Sequence, residues 1–170
     1  MKQTSKQNSR NHFLLWCWLA VIILAIVVGI VIYQDSLDDK KTVTFDRCVD
    51  GDTAWFYQDG QEIKVRFLAI DSPEVSGTPE YYGSEAQEYT CLVLTSGSTI
   101  QLELDPNSTE TDRYGRTLAW VWVDGSLLQK QLVSQGYAEV KYEQDNYKYV
   151  DELRQSQQQA QQNQLGLWGQ

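Results

Sequence analysis

From Phe13 to Tyr33 the chain runs for 21 residues without one charged side chain. Leu, Ile, Val and Ala dominate, and Trp16 and Trp18 stand near one end. A stretch with no polar face does not suit a core helix, which keeps one side for water. At about 1.5 Å per residue it matches a hydrocarbon layer of roughly 30 Å. Lys2, Lys6 and Arg10 precede it with no acidic residue among them, and Asp35, Asp38 and Asp39 follow. The positive-inside bias then predicts a cytoplasmic stub at 1–12, a transmembrane helix at 13–33 and the rest of the chain outside a plasma membrane. A cleaved signal peptide has an apolar core of about 7–15 residues and a small-residue cleavage site. This core is longer, and Gly29 to Asp35 offers no such site, so the expectation is an uncleaved signal anchor. Residues 34–41 are polar and read as a short stalk, with one domain over 42–170.

The whole chain carries −9 and residues 1–34 carry +3, so residues 35–170 carry −12. Phosphate contact favours a basic surface, so this balance argues against a nucleic-acid partner. It also supplies carboxylates for a hard cation. The only histidine is His12, in the stub. The outer domain therefore excludes His-based general bases, Ser-His-Asp triads and the common zinc sites. A metal site there would be oxygen-only, pointing to calcium or magnesium. Cys17 lies in the apolar run. Cys48 and Cys91 lie in the outer domain, where they are either paired or two small buried apolar residues.

Along the domain, Thr42–Val49 alternates as a strand, Asp50-Gly51-Asp52 is a turn, and Thr53–Tyr57 leads into a hairpin at Asp59-Gly60. Ile63–Ile70 reads as one long strand, and 72–83 as a loop. Ser84–Leu94 reads as a helix, Thr99–Leu104 as a strand, and Arg116–Val123 as another. Ser126–Ser134 reads as a helix capped near Gly136, and Tyr147–Gln164 as a last, glutamine-rich helix. The order β-β-β-α-β-β-α-α predicts an α+β fold: a five-stranded Greek-key barrel of the oligonucleotide/oligosaccharide-binding (OB) type with three α-helices.

Several charged residues break this pattern. Arg66 falls inside the apolar strand, in phase with Leu68 and Ile70, so it either snorkels at the rim or meets a partner. Asp71-Ser72-Pro73-Glu74 places two carboxylates within four residues, suiting either a calcium site, an acid/base pair or a polar strand end. Asp50-Gly51-Asp52-Thr53 is a hairpin turn or a ligand loop. Asp112-Arg113-Tyr114-Gly115-Arg116 sets two arginines around a tight turn, a geometry that suits phosphate and is also common in solvated loops.

Taken together, Val49–Thr53, Val65–Glu74, Tyr82–Ala86 and Thr111–Arg116 resemble the signatures of the staphylococcal nuclease family, in the same order and at similar spacing. Gln135-Gly136-Tyr137-Ala138 and Leu165-Gly166-Leu167-Trp168 look like further landmarks, so the resemblance covers about residues 42–169. It implies that Asp52, Asp71 and the Ser72 carbonyl bind Ca²⁺. It also implies that Glu74 orients or deprotonates the attacking water, and that Arg66 and Arg116 clamp the scissile phosphate of DNA or RNA. The implied product is a 3′-phosphate with a free 5′-hydroxyl. Tyr114 and Tyr142 are candidate contacts to phosphate or base, their alternative being ordinary packing. No protein partner is implied, and the expectation is a monomer.

Three features depart from the family pattern. The segment Val75–Tyr81 has no Lys or Arg, Gln144 stands where the family has a tyrosine, and the domain is acidic. They predict weaker substrate binding and stronger dependence on calcium. The alternative is a catalytically weak nucleic-acid-binding module on the same fold. Retention of Asp52, Arg66, Asp71, Glu74 and Arg116 favours the enzyme.

Overall fold

The computed structural model describes residues 16, 18–28, 40–142, 144 and 146–169. The chain divides into two compact units, Met1–Asp39 and Lys40–Gln170. In the first, residues 16 and 18–28 are helical and exposed. Among the described residues no helix is long and apolar enough to cross a membrane. Of the predicted span, residues 13–15, 17 and 29–33 lie outside the described residues. So do the stub 1–12 and residues 34–39 of the stalk.

The second unit opens with a meander, β1 (Lys40–Cys48), β2 (Thr53–Gln58) and β3 (Gln61–Phe67). A two-residue strand β4 (Ile70–Asp71) and helix α1 (Gly83–Ser96) follow. Then come β5 (Ile100–Glu103), β6 (Thr117–Val123), the short β7 (Ser126–Leu127) and helix α2 (Leu128–Ser134). The short β8 (Glu139–Val140), helix α3 (Val150–Gln162) and a 3₁₀ turn at Gly166–Trp168 complete it. The hydrogen-bonded order is β3-β2-β1-β5-β6, and a parallel β3–β6 pairing, Val65↔Thr117 to Phe67↔Ala119, closes the sheet. A closed five-stranded barrel with several helices results, as the element order predicted, and closure leaves these strands no open edge.

Period-2 patterning explains the barrel's inside. In β2, Ala54 and Phe56 are buried while Trp55 and Tyr57 face outward, as a pleated strand requires. Phe56, Val65, Phe67 and Val121 fill the interior, and Trp120 on the other face of β6, with Leu132 from α2 and Leu153 from α3, extends the same core. Each such side chain contributes about 1.5–3 kcal/mol by leaving water. Gln129 is also fully buried. Its amide donates to Ala119 O at 2.9 Å and accepts from Val121 N at 3.1 Å, which fixes α2 against β6.

The structure corrects three element boundaries. The strand expected at Ile63–Ile70 ends at Phe67, because Ala69 takes φ +61° and turns the chain before β4. The helix expected from Ser126 starts at Leu128, since Ser126 and Leu127 pair with Val123 and Trp122 instead. The last helix spans Val150–Gln162 rather than Tyr147–Gln164. Gly136 does take the left-handed φ of +73° just past α2. Its Cβ would lie 2.3 Å from Leu165 O, so only glycine lets the closing Leu165-Gly166 segment dock there.

Candidate active site

The β1–β2 turn is held from outside by α1. Thr90 Oγ1 donates to Gly51 O at 2.7 Å and Gln87 Nε2 to Val49 O at 2.8 Å. A Cys48–Cys91 disulfide, with Cα atoms 5.8 Å apart, ties the end of β1 to the same helix. A side chain at Gly51 would come within 2.8 Å of Ser72 Cβ and 2.9 Å of Ala86 Cβ. The turn therefore packs close enough to set Asp52 beside the β4 end. Asp52 is buried. Its Oδ2 accepts from Ser72 N at 2.7 Å. Its Oδ1 accepts from Thr53 Oγ1 at 2.9 Å and pairs with Arg66 Nε at 3.1 Å.

Arg66 is 9% exposed, so of the two readings of this residue the structure shows the partnered one. Nη1 donates to Phe67 O at 2.8 Å and Ile70 O at 2.7 Å, and Nη2 to Asp71 Oδ1 at 3.0 Å. The turn through Ala69 is what folds those carbonyls over the guanidinium. Of its five N–H donors, one on Nη2 has no partner among the described residues. Asp71 receives a second cation: Lys141 Nζ lies 2.9 Å from its Oδ2 and 2.9 Å from Glu139 Oε1. Pairing of β4 with β8, Asp71↔Glu139, brings these groups together. Asp71 and then Glu139 hold the Lys141 ammonium well above the ordinary lysine pKa.

Glu74 is clamped by its backbone. Its N–H donates to Glu80 Oε2 at 3.1 Å and its carbonyl accepts from Glu80 N at 2.9 Å. A Cβ on Gly83 would stand 2.6 Å from the same carbonyl. The Glu74 carboxylate is exposed and has no partner among the described residues. Asp112 organises the tight turn, accepting from Tyr114 N and Arg116 N, each at 2.9 Å, and from Arg116 Nε at 2.6 Å. Burial pushes its carboxyl up, but these bonds outweigh burial and hold it below the usual aspartate range. With Nε so held, the two Nη groups of Arg116 have no partner among the described residues, which leaves the fork open for an oxyanion.

Arg66, Asp71, Glu74, Tyr114, Arg116 and Tyr142 all line one open cleft of about 650 Å³. Tyr114 and Tyr142 are 68% and 69% exposed, so neither is ordinary core packing. The rings lie 5.5 Å from the Arg116 guanidinium and 6.0 Å from that of Arg66. Asp52 and Ser72 are not on this wall. Asp52 sits behind Arg66, and Ser72 lines a neighbouring cleft that shares Asp71 with the first. Lys141 was missed by sequence reasoning. The signal that could have found it is the Glu139/Lys141 alternation, legible only once β8 is known to pair with β4.

Among the described residues no group of three or more His, Cys, Asp or Glu side chains could hold a metal. The implied set is smaller: two carboxylates and a backbone carbonyl. Its chemistry fits a hard divalent cation. All donors are oxygen. Burial, despite Arg66, pushes the Asp52 carboxyl up, so a further cation would favour its ionised form. The buried Ser72 hydroxyl beside it has no partner among the described residues.

A small closed five-stranded barrel carrying several helices, with Arg66, Arg116 and Glu74 on one cleft, is an α+β protein of the OB type. The chain belongs to the staphylococcal nuclease homologue family, whose family model matches residues 64–170. It is 37% identical over 133 residues to a thermonuclease of Staphylococcus hyicus, covering 76% of this chain and 77% of that one. It is 36% identical over 162 residues to a thermonuclease of Staphylococcus intermedius, covering 87% and 95%. With endonuclease YncB of Bacillus subtilis it shares 37% identity over 139 residues, 78% of this chain and 65% of that one.

Proposed function

We propose that the protein is a calcium-dependent phosphodiesterase that hydrolyses DNA or RNA to 3′-phosphate products at the outer face of the plasma membrane, anchored by Phe13–Tyr33. Family membership and the thermonuclease and endonuclease relatives support the nuclease activity. The observation that carries the site assignment is the open Arg116 fork facing the same cleft as the unpaired Glu74 carboxylate and Arg66.

In this reading Arg116 grips two non-bridging phosphate oxygens with its Nη groups, and Arg66 adds the remaining N–H of Nη2. Both neutralise charge that grows as the phosphorus becomes five-coordinate. Arg66 cannot swing away, because its other bonds fix it to the β3–β4 turn. Glu74 takes a proton from a water placed in line with the P–O5′ bond. The water oxygen bonds to phosphorus, the P–O5′ bond breaks, and the leaving 5′ oxygen takes a proton from solvent. Asp52, Asp71 and the Ser72 carbonyl would hold Ca²⁺, which when bound supplies Lewis-acid stabilisation of the same phosphate. Tyr114 and Tyr142 offer faces on which bases stack, each worth about 1–3 kcal/mol.

The test is cleavage of denatured DNA and of RNA by the purified full chain, in calcium and in chelator. Cleavage only with calcium, leaving 3′-phosphate ends, is expected. A folded chain that binds the strand and leaves it uncut in calcium would make it a binding module instead. Protease added to intact cells should remove residues 40–170 and spare an N-terminal tag, and protection of the whole chain would refute the outward orientation.

A further inference from the structure

Both oxygens of Asp71 already carry a cation, and the two cations differ in how easily they leave. On Oδ1 sits Arg66, buried and fixed by bonds to Phe67 O, Ile70 O and Asp52. On Oδ2 sits Lys141, whose side chain is 44% exposed and whose other ion-pair partner is the solvent-facing Glu139. The backbone beneath Lys141 is pinned. Its N–H donates to Ala69 O at 3.0 Å, and the preceding Val140 N–H donates to Gln157 Oε1 at 2.6 Å. The ammonium is thus delivered to Oδ2 by a fixed strand on a flexible four-carbon stem. Oδ2 is the oxygen at which one cation can be exchanged for another.

We propose that Lys141 is a built-in competitor for the metal at Asp71 and sets calcium affinity below what the carboxylate pair would give alone. This rests on the reading of Asp52 and Asp71 as the metal-binding pair. A hard cation reaching Oδ2 must displace the ammonium, and the displaced charge remains tethered within a few ångströms. Glu139 gives it a place to go, since it already shares the ammonium at an equal distance. Lys141 is here a positioning residue that acts through Asp71 and takes no part in bond making. A purely structural role is the competing explanation: Asp71 and Glu139 face each other across a strand pair, where like charges repel, and Lys141 bridges them. That role predicts a loss of stability on removing Lys141 and no gain in metal binding.

The experiment is calorimetric titration of calcium into the full chain, without substrate, for the unmodified protein, Lys141→Met and Lys141→Arg. Removing the charge should tighten calcium binding about tenfold, the Coulomb effect of a unit charge roughly 6 Å from a divalent ion in a water-like dielectric. Lys141→Arg should stay within about twofold of the unmodified chain. The rise in Tm on adding calcium should grow in Lys141→Met alone, as tighter binding to the folded state requires. Calcium binding by Lys141→Met where the unmodified chain shows none also supports the proposal. Equal or weaker binding by Lys141→Met, with the unmodified chain binding calcium, overturns it and leaves the proposed function standing. No binding by any of the three overturns both.

Discussion

Two carboxylate pairs are drawn into this barrel, and they are satisfied in different ways. Glu103 and Asp105 at the end of β5 are both buried. Asp105 accepts from Trp120 Nε1 and from the backbone N–H groups of Asn107 and Lys148, all within 2.9 Å. Glu103 accepts from Trp122 Nε1, Tyr149 OH and Lys148 Nζ. Five of these six donors are neutral and held by the fold. Asp71 is held by two cations, Arg66 and Lys141, and borders two clefts, while Asp52 shares Arg66 with it and also accepts from Ser72 N and Thr53 Oγ1. A carboxylate saturated by fixed neutral dipoles has nothing to exchange and serves the fold. One balanced by charge at a cleft can trade one cation for another.

The comparison can be broken most sharply at the cleft. Glu74→Gln should lower kcat about 10²- to 10⁴-fold and leave Tm almost unchanged, since its carboxylate has no partner among the described residues. Nuclease assays beside thermal melts check this. A large fall in Tm would show that Glu74 belongs to the fold. Arg116→Ala should cost about 10²- to 10³-fold with only a small effect on stability, measured in the same way.

The opposite pattern is expected at the other pair. Glu103→Gln should destabilise by about 3 kcal/mol, because Lys148 and two ring donors lose an anion that is out of water. Cleavage per folded molecule should be retained, and urea unfolding with activity at low temperature separates the two effects. Replacing Cys48 and Cys91 together with serine should cost about 2–4 kcal/mol, by lengthening the loop open to the unfolded chain. Dithiothreitol should reproduce that loss in the unmodified chain and have no effect on the variant.

The smallest effect concerns pH. Asp112 has a folded pKa below its unfolded value. The stability it contributes is present above the ordinary aspartate pKa of about 4 and lost as pH falls through the lower folded value. Asp112→Asn should therefore be less stable than the unmodified chain at pH 6, with the difference shrinking below about pH 4. Urea midpoints across that range decide it, and a deficit independent of pH would remove the ionic contribution.

Much of the barrel was legible because β strands declare themselves locally. The Asp59-Gly60 hairpin and the in-out alternation of Thr53–Tyr57 need only neighbouring residues. β4 and β8 escaped because two-residue strands have no period to read, and they exist only through each other. Arg66 stood out as a charge in an apolar run. The turn at Ala69 that gives it two carbonyl partners was invisible, because alanine carries no preference for a positive φ.

The sequence by itself determined the barrel's element order, the absence of histidine chemistry after His12, and the oxygen-only donor set available to a cation. Residue type and short-range spacing decide such things. Only the tertiary structure decided that Cys48 meets Cys91, that Glu74 and the Arg116 fork share one cleft with no partner among the described residues, and that Lys141 sits on Asp71. Each of these depends on residues far apart in the chain reaching within a few ångströms. Hydrogen bonds and ion pairs act only at that distance, and sequence position does not fix it.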